Sequence, residues 1–153
     1  MERYHFRLIE KILYNQKGIE LAVRDARAEQ LSNQGIKNGG GGHAFVSNPT
    51  EAKALKLATP IKSVMVGEMV VRLPEKWLAV IESVYAMQDA ERNKLLRKRY
   101  YKQNPNTIIL AIDFNMSRKT VYNICQSFVE AVFARASYEH LINPYEIKDR
   151  NKK

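Results

Sequence analysis

Cysteine is nearly absent from this chain: Cys125 is the only one. An intramolecular disulfide is excluded, and a reducing compartment fits this usage. Histidine is scarce too. His5, His43 and His140 are scattered and Cys125 lies on an expected buried face, so neither a metal-ligand cluster nor a Cys–His nucleophile is visible. Asp113 and Glu130 are single acids on expected helix surfaces. The expectation is a protein that is not an enzyme, with no catalytic residue, no metal and no cofactor. No stretch approaches the roughly 20 apolar residues of a membrane span, so no membrane partner is expected. The opening Met1-Glu2-Arg3-Tyr4 runs into mixed polar and apolar sequence, unlike a secretory signal. Internal repeats are absent.

Acidic residues are also in short supply. Lys and Arg number 25 against 16 Asp and Glu, a formal net charge of +9. Residues 1–90 carry 12 basic and 10 acidic side chains; residues 91–153 carry 13 and 6. The excess is therefore concentrated in the second segment, and a polyanionic partner is expected to meet that segment.

Between Tyr4 and Leu31 there is no proline and one glycine. Ile9, Ile12, Ile19, Val23 and Ala26 recur at the 3/4 spacing of a helical stripe, with Gln16 and Gln30 at stripe positions. This predicts one long N-terminal helical arm over residues 1–34, paired with a helix of another copy or folded back on its own domain. Residues 35–47, with Gly39 to Gly42 consecutive, read as a flexible linker. They lack the GxxxxGK[ST] pattern of a phosphate loop. Asn48-Pro49-Thr50-Glu51 reads as a helix start. It opens a helical linker or core region over 48–88. Residues 61–72, rich in valine but without clean alternation, are taken as helix. Trp77, Leu78, Ile81, Val84 and Tyr85 form the face of the next helix, with Trp77 as a core anchor.

Residues 89–142 carry the functional expectation, and 143–153 form a basic tail. Asp89 is the expected cap of a helix that ends at Gln103-Asn104-Pro105-Asn106. Thr107 is the expected cap of a short helix containing Leu110, Ala111 and Phe114. After a turn at Asn115-Met116, Ser117 caps a longer helix whose buried stripe is Val121, Ile124, Cys125, Phe128 and Val132. Short helix, tight turn and longer helix fit a helix-turn-helix. The opposite face of the second helix carries Arg118, Lys119, Tyr122, Asn123 and Gln126, which are the candidate base-reading residues. Arg97, Lys98, Lys102, Ser117 and Thr120 are the candidate phosphate contacts. The fold class expected is all-α, and the partner expected is double-stranded DNA.

The run Leu110-Ala111-x-x-Phe114-x-Met116-Ser117-x-x-Thr120-Val121 resembles the helix-turn-helix of sigma-factor region four. Taken whole, the chain resembles the RinA/ArpU group of phage transcriptional activators. The similarity lies in the Tyr4–Tyr14 segment, the Gly-rich linker followed by Asn48-Pro49-Thr50, and Pro74-x-x-Trp77-Leu78-x-x-Ile81-Glu82. That resemblance implies a phage or prophage regulator in the bacterial cytoplasm, at the nucleoid, activating late genes. Separately, the helical arm leads to the expectation of a homo-oligomer, and host RNA polymerase is a further expected partner. Two alternatives stay open. One is a DNA-recognition subunit for phage packaging, of the small-terminase type, although that class places its helix-turn-helix first. The other is a sigma-like factor that binds polymerase directly.

Overall fold

The structure is a computed structural model that describes residues 1–32 and 49–145. Seven α-helices, one π-helical turn and one β-hairpin make up these residues. The chain is mostly helical, and the all-α expectation is corrected by the hairpin. The linker over 35–47, the expected Asn48 cap and the basic tail beyond Tyr145 lie outside the described residues. None of the described helices is long and apolar enough to cross a membrane.

The chain divides into two compact units: residues 1–17 with 76–153, and residues 18–75. The long arm is two helices, α1 (Arg3–Tyr14) and α2 (Gln16–Ser32), parted at Asn15. Asn15 leaves helical geometry at φ −99° and ψ 8°, and its amide side chain donates to the Lys11 carbonyl at 2.7 Å. A side chain that bonds the backbone behind it competes with helix propagation.

In the unit of residues 18–75, α2 is joined by α3 (Pro49–Ala58) and the hairpin of β1 (Ser63–Val66) and β2 (Met69–Arg72). The strands pair antiparallel with Val64 opposite Val71 and Met65 opposite Val70. Val64 and Val71 are buried while Met65 and Val70 are exposed, so alternation is present with an apolar residue on both faces. Gly67 opens the two-residue loop at φ +58°, the conformation that a type II′ hairpin assigns to glycine. Gly18 serves a different need. A β-carbon there would lie 2.7 Å from the Val66 side chain, so its absence lets α2 approach β1. Arg27 grips Glu75 in a two-pronged pair at 2.6 and 2.8 Å, and Arg27 also donates to the Thr59 carbonyl. Glu75 in turn accepts from the Ile61 backbone N–H. One half-buried ion pair thus ties together the backbone around Pro60.

The other unit holds α1, α4 (Pro74–Ala86, from Lys76 onward), α5 (Ala90–Leu96), the π-helical turn Arg97–Tyr101, α6 (Thr107–Asp113) and α7 (Arg118–Tyr138). Its core is aromatic and aliphatic. Phe128 sits 4.7 Å from the Tyr85 ring and 5.9 Å from that of Tyr100, and all three are fully buried. Trp77 is buried in this unit as expected. Residues 3–14 are not an arm. Ile9, Ile12 and Leu13 of α1 are buried, and α1 packs on α7 and on the π-helical turn. Gln16 is equally buried, and its amide donates to Glu82 of the same chain at 3.2 Å. It ties the start of α2 to α4.

Candidate nucleic-acid interface

The geometry from α6 through α7 follows from local chemistry. Asn106 caps α6, accepting from the backbone N–H groups of Ile108 and Ile109 at 2.9 and 3.3 Å. Thr107, the expected cap, is the first helical residue. Both side chains can cap, but Asn follows Pro105 in extended backbone at ψ 102°, the conformation a cap needs. At the other end the Met116 N–H bonds back to the Ala111 carbonyl at 2.9 Å, and the Asn115 N–H bonds to Ile112 at 3.2 Å. This is a Schellman closure, and it places Asn115 at φ +49°, where asparagine is the best tolerated residue after glycine.

Ser117 then caps α7. Its hydroxyl accepts the Thr120 N–H at 3.0 Å and shares a 2.8 Å hydrogen bond with the Thr120 hydroxyl. Ala111 is buried where α6 meets α7, and Val121, Cys125, Phe128, Val129 and Val132 fix α7 to the core. Ile124 is only half-buried.

On the outer side of α7, Arg118, Lys119, Tyr122 and Asn123 are exposed. At about 100° per residue they fall within an arc of roughly 140° in the first two turns. No acidic side chain interrupts that stretch. Gln126 departs from the expectation: it is half-buried and its amide donates to Glu130 at 3.1 Å along the helix. Among the candidate phosphate contacts, Lys102 and Thr120 are exposed. Arg97 is corrected. Its guanidinium bonds Asn93 at 2.9 Å and Glu82 at 2.8 Å, and lies 4.2 Å from the centre of the Tyr85 ring. It is a clamp between α4 and the π-helical turn. Lys98 pairs with Asp113 at the end of α6 at 2.5 Å.

Sequence reasoning missed a half-buried polar cluster between α1 and the π-helical turn. Arg99 of the π-helical turn lies 3.9 Å from Glu10 of α1, and donates to the Pro105 carbonyl at 3.3 Å and the Thr107 hydroxyl at 3.4 Å. It therefore links α1 to the residues that lead into α6. Burial pushes the Glu10 carboxyl above its usual range, with Arg99 pulling the other way. Burial likewise raises Tyr100 and Cys125. The signal in sequence was the run Arg97-Lys98-Arg99, whose three members take three different partners, Glu82, Asp113 and Glu10. Among the described residues no group of three or more His, Cys, Asp or Glu is placed to hold a metal ion. No family model, curated protein or solved structure matches this chain.

Proposed function

We propose that α6, its turn and α7 form a helix-turn-helix that binds duplex DNA in a sequence-specific way, with the first two turns of α7 in the major groove. The observation that carries this reading is the outer face of α7. Arg118, Lys119, Tyr122 and Asn123 are exposed together, directly after a capped N-terminus, on a helix whose other face is locked in the core. Arg or Lys reads guanine through O6 and N7, and Asn reads adenine through N6 and N7. A helix of 21 residues held by six core side chains presents those groups with little freedom, which is what base discrimination requires. Gln126 and Arg97 are left out of the contact set for the reasons above.

The resemblance to phage activators extends the proposal to a transcriptional regulator, working as a homo-oligomer with host RNA polymerase. Selection of bound sequences from random duplexes identifies the site. Arg118→Ala and Asn123→Ala are then each expected to lose about 1–3 kcal/mol on that site and to relax specificity at one position. Unchanged specific affinity in both folded variants refutes α7 as the reader.

A further inference from the structure

The Lys98–Asp113 pair sits in an open groove of about 720 Å³ between α5 and the turn that leads into α7. Lys94, Lys98, Asp113, Phe114 and Asn115 line it. A second groove of about 530 Å³ continues along the same face past Lys94, Lys98 and Lys102. Asn115 stands two positions before the Ser117 cap. Arg118 follows Asn115 by three positions.

The charges in that groove are nearly balanced. Lys94 has no ion pair among the described residues. Lys98 has one, with Asp113, and Glu91 adds a second acid to the lining. Both members of the Lys98–Asp113 pair keep about a third of their side-chain surface in solvent, at 36% and 35%. An ion pair that open to water is weak and is exchanged at little cost. A backbone phosphodiester carries one negative charge, as a carboxylate does, so at Lys98 one solvent-exposed ion pair replaces another while Lys94 gains one it lacks, and a groove open on one side admits the phosphate without rearranging the core.

We propose that this groove seats a backbone phosphate of bound DNA on Lys94 and Lys98, and that Asp113 competes with the phosphate for Lys98. The site rests on the reading of α7 given above. Asp113 acts against affinity. In the free protein it satisfies Lys98; in the complex it is displaced and repels the backbone. Its effect is the same on every sequence, because a phosphate carries no base information. The consequence is a lower affinity for random DNA, which keeps the protein from being held away from its site.

The test uses the full chain with its selected duplex and a random duplex across a salt series. Asp113→Asn is expected to tighten both complexes by up to about fivefold, the ceiling set by a surface ion pair, and to steepen the salt slope by up to about one unit. Lys98→Gln is expected to weaken both complexes alike, and Lys98→Arg to keep them. In the Asp113→Asn, Lys98→Gln double variant most of the gain is expected to vanish. Thermal unfolding of each variant establishes that the fold is retained. Additive effects in the double variant overturn the proposal, since Asp113 then acts only through bulk charge. So does an Asp113→Asn variant that binds like the wild type. If specificity falls in Arg118→Ala while the Asp113 and Lys98 effects are additive, the phosphate site alone fails. Absence of duplex binding by the wild-type chain overturns both the site and the reading of α7.

Discussion

Ser117 separates two roles that the sequence merges. It is both a candidate phosphate contact and a candidate helix cap, and in the structure its hydroxyl is occupied as a cap by the Thr120 N–H at 3.0 Å. Replacing it with alanine removes the acceptor. Water replaces it at this exposed position, so the cost is that of a lost N-cap, about 1 kcal/mol. The rest of α7 is held by Phe128, Val129 and Val132, so the damage is confined to fraying of the first turn. In a chain of 153 residues a loss of that size lowers Tm by about 2–4 °C. Ser117→Asp keeps an acceptor in the same place. Its carboxylate also meets the positive end of the helix, worth about 0.3–1 kcal/mol at an exposed terminus. Its Tm is therefore expected to equal or exceed that of the wild type.

On DNA the order reverses. Ser117→Ala leaves the charge of the face intact and weakens binding only through the frayed presentation of Arg118 and Lys119. Ser117→Asp sets a negative charge against the backbone. It is expected to weaken specific and random duplexes alike and to reduce the salt slope by about one unit. Thermal unfolding and a salt-dependent binding titration on both variants measure this crossing. Equal losses of Tm in the two variants refute the cap. Wild-type binding by Ser117→Asp refutes the placement of the α7 N-terminus at the DNA.

Two further outcomes concern the half-buried cluster. Burial raises the Cys125 thiol above its ordinary range, with Arg99 pulling it down; it is 5% exposed. It is expected to react with an aromatic disulfide reagent at neutral pH only as fast as the protein unfolds, and rapid labelling of the folded chain contradicts that environment. Glu10 is raised by burial against the opposing pull of Arg99, so the folded state binds its proton more tightly than the unfolded state. The stabilisation that this proton confers is complete below the unfolded value and fades as pH rises through the folded one. Glu10→Gln is therefore expected to match or exceed the wild-type stability at neutral pH. That advantage is expected to disappear in acid, below the ordinary glutamate range. Denaturant unfolding at both pH values checks it, and a Glu10→Gln chain clearly less stable at neutral pH overturns the sign.

The elements that were legible in the sequence are those fixed by local chemistry. Asp89 and Ser117 cap the helices they were expected to cap, because a short acceptor before an apolar stripe has few other uses. The α7 stripe is buried as its spacing requires, apart from Ile124. Residues 61–72 were misread because Met65 and Val70, exposed on the outer face, mask the alternation that Val64 and Val71 obey. Gly67-Glu68 between two valine-rich runs was the usable signal, a two-residue loop with glycine first. The break at Asn15 was hidden by an apolar stripe that continues across it: Ile12 and Ile19 are both buried. Periodicity reports which face is buried and is silent about whether the axis is continuous. Arg97 and Lys98 differ for a longer-range reason. Their partners Glu82 and Asp113 are each 15 positions away in sequence, and no local pattern encodes such a meeting.

That last point changes what the basic excess means. Residues 91–153 carry a net +7 by counting, but a count is not a field. Arg92 is paired with Asp89, Arg97 with Glu82, Lys98 with Asp113, Arg99 with Glu10 and Arg135 with Glu139. Several of these acids lie outside the segment that was counted. Among the described residues of that segment, Lys94, Lys102, Arg118 and Lys119 remain without an ion pair, and Lys94 and Lys102 line one groove. Among the described residues the unpaired cations of this segment lie at the start of α7 and in the lysine stripe beside its turn, because Arg97 and Arg99 are spent in holding α4, the π-helical turn and α1 together. On the reading proposed above, the unpaired Lys94 and Lys102 hold a DNA backbone as point charges, and discrimination comes from Arg118, Lys119, Tyr122 and Asn123 on α7.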